Sequence, residues 1–190
     1  MNIPNFISLL RILLIPVMVV FFYLNIEGKY LIAAAVFAVC AFTDFLDGYL
    51  ARRLNQVTNL GKFLDPIADK VLIAVALFLL VEAGAVPSPY LAIGASLIIA
   101  RELIIGGFRQ IAAANNIVIA ADRSGKIKTF VQDISIILLF CTLNFSGVEV
   151  LKYASYGVFA LAVFLTLFSG VMYVVKNTQV FSKKPKKNNL

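Results

Sequence analysis

The chain has 190 residues, of which 61% are hydrophobic and 14% charged, and its formal net charge at pH 7 is +7. Soluble domains carry about 45–50% apolar and about 25% charged residues, so this composition excludes an ordinary soluble domain and indicates a membrane protein. The chain has no histidine, and its two cysteines, Cys40 and Cys141, lie within apolar runs. These features exclude a Ser–His–Asp triad, a disulfide framework and a cysteine-rich metal site.

Six apolar runs follow one another along the chain, at 6–24, 30–50, 66–86, 90–113, 127–145 and 153–175. Each has about the 20 residues that a helix needs to cross a bilayer. We therefore predict an all-α polytopic membrane bundle of six transmembrane helices. Residues 1–176 would form the membrane domain and residues 177–190 a basic cytoplasmic tail. Pro4 allows a short interfacial helix at the N-terminus, and Pro16 allows a kink in the first span.

Basic residues are divided unequally between the two sides of this predicted bundle. One side carries Arg52, Arg53, Lys62, Arg109, Arg123, Lys126, Lys128 and the lysines of 183–187, and the other carries Lys29, Lys152, Glu27, Glu82 and Glu149. Cytoplasmic connections of membrane proteins are enriched in Lys and Arg. We therefore predict a protein of the cell membrane whose two termini both lie in the cytoplasm. The charge distribution fits topology and contact with anionic membrane lipids, and not nucleic-acid binding.

Four of the ten acidic residues lie in the stretch 42–70. Asp44 and Asp47 are three apart near the end of the second span, and Asp65 and Asp69 are four apart at the start of the third. Each pair shares a helical face, and the short connection predicts antiparallel neighbours whose carboxylates converge at the cytoplasmic face. Clustered carboxylates repel one another and favour hard cations, so two Mg²⁺ or Mn²⁺ ions that clamp a phosphoryl group are predicted.

Simpler interpretations of single residues remain open. Asp65 before Pro66 fits a helix N-cap, and Asp44 would pair with Arg52 or Arg53 at the membrane interface. A proton or cation transporter would also hold carboxylates inside a membrane, although such sites lie near the midplane, often between repeated halves. Small residues beside the carboxylates would either let a ligand approach or permit close helix packing: Gly48, Ala51 and Gly61.

The segments DFLDGYLAR and GKFLDPIAD, separated by eight residues, fit the pattern D-x2-D-G-x2-A-R-x8-G-x3-D-x3-D at every fixed position. The chain therefore resembles the CDP-alcohol phosphotransferases, membrane enzymes that join phospholipid head groups. The resemblance implies a CDP-linked donor whose pyrophosphate is bridged by two divalent cations. It also implies that an alcohol hydroxyl attacks the β-phosphorus, that CMP leaves, and that the protein is a homodimer.

The resemblance also assigns roles by position. Asp44, Asp47 and Asp65 would be metal ligands together with Asp69, and Asp69 would be the general base that takes the hydroxyl proton. The residues that would line or support the donor site are Gly48, Ala51, Arg52 and Gly61. The opening segment of related proteins lies near the donor, which adds as secondary candidates Asn5, Ser8 and Arg11. For these three, interfacial capping and snorkelling are the alternative.

Basic residues beyond the motif predict a pocket for a second phosphate. Arg101 and Arg109 are eight apart and share a helical face, while Lys126 and Lys128 open the next span on the same side. Arginine and lysine suit phosphate oxygens, although topology alone would also explain the two lysines. Arg101 lies well within an apolar span, and its pairing with the adjacent Glu102 is expected to be awkward because neighbouring residues point to different sides of a helix.

A phosphorylated acceptor alcohol therefore fits better than a neutral one. The segments NIPNFISLLR, ARELIIGGFR and GKIKT resemble bacterial members of the family that join CDP-diacylglycerol to sn-glycerol 3-phosphate. Serine, inositol phosphate and phosphatidylglycerol are the alternative acceptors within the family. A more distant alternative is an intramembrane prenyltransferase, which also uses aspartate-rich motifs and Mg²⁺ but places them on two distant helix pairs.

Overall fold

The computed structural model describes the backbone of residues 3–53, 59–114 and 123–178, and the side chains of residues 9–43, 66–113 and 125–178. Over these ranges the chain forms six helices and no strand, so the prediction of an all-α fold is confirmed. The helices are α1 (Ile3–Tyr23), α2 (Lys29–Arg53), α3 (Asn59–Glu82), α4 (Tyr90–Ala114), α5 (Arg123–Asn144) and α6 (Glu149–Lys176).

The start of α3 departs most from the sequence prediction. The helix begins at Asn59, so Pro66 lies inside it and the prediction of Asp65 as an N-cap is wrong. The apolar run begins at 66 because the first turns of α3 are rich in polar residues and glycine, which hydropathy does not mark as helical. Pro66 removes one backbone hydrogen bond from α3, yet the helix continues on both sides of it.

The N-terminal segment does not form a separate interfacial helix. Residues 3–23 form a single helix, with Pro4 in its first turn and Pro16 inside it. A proline is tolerated in the first turn because the N–H groups there have no partner within the helix. The opening segment is therefore continuous with the first apolar run.

The six helices pack into a closed ring in the order α1, α2, α5, α6, α4, α3, and α3 also contacts α2 and α5. Short connections join α1 to α2, α3 to α4 and α5 to α6 as antiparallel hairpins. Tyr23, at the end of α1, donates a hydrogen bond to Glu82 at the end of α3, which shows that α1 and α3 run parallel. Hence α2, α4 and α6 end, and α3 and α5 begin, at one end of the bundle, termed the motif end.

Apolar side chains fill the interior of the bundle and also cover much of its outer surface. Met18, Phe37 and Phe140 are buried, whereas Phe78 and Phe164 are each 63% exposed. Exposed apolar surface of this extent is unfavourable in water and suits contact with acyl chains. The outer surface therefore supports the assignment as a membrane protein.

Three helical segments in the described ranges are long and apolar enough to cross a membrane: Tyr90–Ala113, Gly125–Asn144 and Glu149–Lys176. Two further apolar helical segments, Leu9–Tyr23 and Lys29–Thr43, are shorter. Six spans and two cytoplasmic termini remain predictions, and most of the predicted basic tail, from residue 179, lies outside the described residues.

Candidate active site

The motif is carried by the hairpin of α2 and α3 at the motif end. Positions 44 and 47 lie on α2, position 65 lies on α3, and the two helices contact each other. The hairpin therefore brings the two halves of the motif to the same end of the bundle. Most of the predicted donor and metal residues have side chains outside the described residues: Asn5, Ser8, Asp44, Asp47, Gly48, Ala51, Arg52, Gly61 and Asp65.

Asp69, the predicted general base, is half-buried on α3 and follows the fully buried Ala68. Among the side chains of 9–43, 66–113 and 125–178, no three His, Cys, Asp or Glu residues lie close enough to hold a metal ion. Three of the four motif carboxylates fall outside those ranges, so the two-metal site stays a prediction.

Arg11 of α1 is a cation inside the bundle. Its side chain is 1% exposed, and its charge acts on the thiol of Cys40 in α2. Cys40 and position 44 are four residues apart and share a face of α2. Arg11 therefore acts on a residue that lies about one helical turn before the start of the motif. Because its whole side chain is enclosed by protein, the snorkelling alternative is wrong for Arg11.

A charged cluster lies between α4, α5 and α6. The Glu102 Oε1 atom accepts hydrogen bonds from Arg101 Nη1, at 3.1 Å, and from Lys128 Nζ. Arg101 Nη2 donates to Ser169 Oγ of α6 at 2.9 Å. The expectation of an awkward Arg101–Glu102 pair is wrong, because the long arginine side chain spans the angle between neighbouring positions. The sequence predicted both cations but not their shared carboxylate partner.

Lys70 of α3 is a further cation of this cluster, and the sequence analysis missed it. Its Nζ atom lies against Gly106 of α4, where a side-chain carbon would overlap the ammonium group. Gly106 is one helical turn from Glu102, and the charge of Lys70 acts on the Glu102 carboxylate. The available sequence signal was a lysine directly after Asp69 within an apolar run.

The cluster is rich in positive charge. Three cations, Arg101, Lys128 and Lys70, act on the single carboxylate of Glu102. Lys128 is 3% exposed, and a cation so buried is costly unless it is paired with an anion. A phosphate monoester carries about −1.5 to −2 at neutral pH and is an anion of the kind that such a group of cations attracts.

The other two predicted acceptor residues lie nearby but outside the cluster. Arg109 is two turns closer to the motif end, where its Nε donates to Tyr173 Oη at 3.1 Å and its guanidinium lies 5.2 Å from the ring centroid. As their spacing predicts, Arg101 and Arg109 both face α6. Lys126 is exposed and has no contact with the cluster within the described residues.

Gly170 of α6 makes room for Arg101. A side-chain carbon at Gly170 would lie 3.0 Å from Arg101 Cγ and 3.2 Å from Arg101 Nε. The Nε atom of Arg101 is buried on the side of Gly170 and has no hydrogen-bond partner among the described residues. Arg101 and Gly170 also line an apolar groove of about 410 Å³ between α4 and α6.

The described residues form apolar helices, with the motif on one hairpin and a buried basic cluster beside it. This architecture is that of a helical membrane protein. Residues 1–172 match the family described as CDP-alcohol phosphatidyltransferase. The chain belongs to this family. The match extends far beyond the motif and includes all of the charged cluster.

Relatives of this chain carry the same functional name. A protein of Rickettsia felis is 36% identical over 172 residues, which cover 90% of this chain and 93% of the relative. A protein of Salmonella choleraesuis is 39% identical over 175 residues, with coverage of 91% and 93%. A protein of Pseudomonas fluorescens is 51% identical over a shorter stretch of 110 residues, 58% of this chain. All three are named CDP-diacylglycerol–glycerol-3-phosphate 3-phosphatidyltransferase.

Proposed function

We propose that this protein transfers the phosphatidyl group from CDP-diacylglycerol to sn-glycerol 3-phosphate. The products are phosphatidylglycerophosphate and CMP, so the protein is a phosphatidylglycerophosphate synthase. The observation that carries the proposal is the adjacency of Asp69 and Lys70 in α3. Asp69 belongs to the motif that defines the family, and Lys70 belongs to the basic cluster, so one helix joins the donor chemistry to a phosphate-binding site.

The basic cluster is the support for a phosphorylated acceptor. Serine carries no phosphate. Its single carboxylate would not require a site in which three cations surround one glutamate. Arg101 and Lys128 would supply donors for the oxygens of a phosphate monoester, and Lys70 would add positive charge beside them. The names of the relatives give the same acceptor, sn-glycerol 3-phosphate.

In the proposed reaction the acceptor hydroxyl oxygen attacks the β-phosphorus of the donor. A phosphorus–oxygen bond forms, the bond to the CMP oxygen breaks, and the hydroxyl proton passes to the Asp69 carboxylate. The cations of the cluster hold the acceptor phosphate, which fixes the position of the hydroxyl at the other end of the molecule. Such positioning converts an encounter between two molecules into a reaction within one complex.

The oxygen donors of the motif fit a hard divalent cation, and Asp44, Asp47, Asp65 and Asp69 would hold two Mg²⁺ or Mn²⁺ ions. When bound, the ions would neutralise the diphosphate and stabilise the departing CMP. Gly48, Ala51, Arg52 and Gly61 would contribute to the donor site, as would Asn5 and Ser8 of α1.

The proposed setting is the cell membrane, which the chain would cross six times. Both termini and the active site would lie at the cytoplasmic face, and the assembly would be a homodimer. The lengths of α1, α2 and α3, at 21, 25 and 24 residues, support six spans. At 1.5 Å per residue these helices match a hydrocarbon core of about 30 Å. Accessibility of single introduced cysteines near residues 26 and 177 tests the orientation, and crosslinking in membranes tests the dimer.

The test of the reaction is an acceptor assay on the purified full chain in mixed micelles with CDP-diacylglycerol and Mg²⁺. We expect CMP release only with sn-glycerol 3-phosphate, and a lipid product with the mass of phosphatidylglycerophosphate. Serine, inositol phosphate and phosphatidylglycerol serve as alternative acceptors in parallel reactions. CMP release that does not depend on glycerol 3-phosphate would show that the acceptor assignment is wrong.

A further inference from the structure

Within the described part of the chain, the two oxygens of Glu102 differ in their contacts. Both of its hydrogen bonds, from Arg101 and from Lys128, go to Oε1. No side chain of the described ranges donates to Oε2. The Glu102 side chain is 16% exposed, compared with 3% for Lys128, so Glu102 is the more accessible of the two side chains.

A carboxylate inside a phosphate pocket needs a reason, because it repels the phosphate that the surrounding cations attract. Neutralisation of the buried Lys128 is one reason, and it requires only Oε1. A second acceptor oxygen is useful for a ligand that carries a hydroxyl donor in addition to its phosphate. A phosphate group mainly accepts hydrogen bonds and has at most one proton to donate, so it makes little use of a second carboxylate oxygen.

Glu102 lies between Lys70 and Arg101 in the cluster. Starting from the motif end, α4 presents Gly106 with Lys70 against it and, one turn further, Glu102, whose carboxylate contacts Arg101. Lys70 directly follows Asp69, the base proposed for the reacting hydroxyl. In sn-glycerol 3-phosphate the reacting hydroxyl, the middle hydroxyl and the phosphate follow one another on successive carbons.

We propose that Glu102 determines acceptor specificity: Oε1 holds Arg101 and Lys128 in position for the phosphate, and Oε2 accepts a hydrogen bond from the middle hydroxyl of the acceptor. This proposal rests on the proposed function. The site would select a polyol phosphate over a phosphate monoester of the same length that lacks the middle hydroxyl. A hydrogen bond to a charged group corresponds to roughly 10- to 100-fold in selectivity.

The test compares sn-glycerol 3-phosphate with 3-hydroxypropyl phosphate, which has the same length and lacks only the middle hydroxyl. For the unaltered protein we expect kcat/KM to be at least tenfold higher with glycerol 3-phosphate. Glu102→Gln keeps the shape of the side chain and removes its charge, and it should lower this ratio, because a neutral amide oxygen accepts a weaker hydrogen bond than a carboxylate. Glu82→Gln, at the opposite end of the bundle, is the matched control and should leave the ratio unchanged.

Each result has one meaning. A ratio near one in the unaltered protein would overturn the role of Glu102 whatever the variants do, so the test does not depend on the folding of Glu102→Gln. Equal losses with both acceptors in Glu102→Gln would also overturn it, because a purely structural carboxylate would affect both alike. If glycerol 3-phosphate supports no CMP release at all, both this proposal and the proposed function fail, whereas normal release with a ratio near one removes only this proposal.

Discussion

Gly170 and Arg101 are in direct contact: α6 lies so close to α4 that a side-chain carbon at Gly170 would meet Arg101 Cγ at 3.0 Å. The guanidinium is thereby held between Ser169 and Glu102, both of which it contacts through hydrogen bonds. The absence of a side chain at residue 170 is thus part of what places the Arg101 cation in the cluster.

Gly170→Ala should therefore weaken acceptor binding. The added methyl group displaces Arg101, so we expect the KM for glycerol 3-phosphate to rise several-fold while the KM for CDP-diacylglycerol changes little. Gly157→Ala is the matched control, since it lies in the same helix and an added carbon there meets nothing within 4 Å. If both substitutions raise the acceptor KM equally, the contact with Arg101 is not the cause.

Gly106→Ala should displace Lys70 in the same way. The ammonium group occupies the space of the missing side chain, and a methyl group there would push it away from Glu102. We expect a several-fold increase in the acceptor KM, and a similar increase in Lys70→Met. The neighbouring Gly107→Ala is the control, because nothing lies within 4 Å of its added carbon. An unchanged acceptor KM in both Gly106→Ala and Lys70→Met would exclude Lys70 from the site.

Asp69→Asn should remove turnover and leave donor binding largely intact. The amide cannot take the hydroxyl proton, and loss of a general base typically lowers kcat by about 10²- to 10⁴-fold. CMP release measures the turnover, and equilibrium binding of CDP-diacylglycerol measures the donor site. Turnover at the normal rate in this variant would remove Asp69 from the mechanism.

Arg101→Ala and Arg109→Ala should raise the requirement for glycerol 3-phosphate more than that for the lipid donor. Arg101 lies in the cluster and contacts both Glu102 and Ser169, so its loss should raise the acceptor KM by about 10- to 100-fold. Arg109 is held by Tyr173 and should show a smaller increase. Lys126→Ala provides the comparison for an exposed cation, and we expect little change. Equal effects of Arg101→Ala on the two substrates would contradict the phosphate pocket.

The features that the sequence predicted are those that depend on local pattern. Apolar runs marked the helices because each helix is buried or faces lipid along most of its length. The motif positions 44, 47 and 65 lie on α2 and α3, and the faces that their side chains share stay a prediction. The start of α3 was misplaced because seven helical residues before Pro66 are not a mainly apolar run. Hydropathy detects the membrane part of a helix and misses its polar extension.

The partners within the cluster could not be predicted, because they depend on which helices are neighbours. Lys70, Glu102 and Lys128 come from three helices, and their meeting follows from the order of the ring, in which α3 lies beside α4 and contacts α5. Nothing in the spacing of a single helix indicates that order. Arg101 and Arg109 were placed on one face correctly because that relationship lies within α4.

The position of Asp69 and Lys70 on consecutive residues has a mechanical consequence. Their side chains leave one continuous helix about 100° apart in direction, so their separation is set by covalent geometry and not by how helices pack. Bilayers of different thickness tilt and shift transmembrane helices relative to one another. Such a tilt of α3 would move Asp69 and Lys70 together. Their positions relative to each other would therefore stay the same when the surrounding lipid changes.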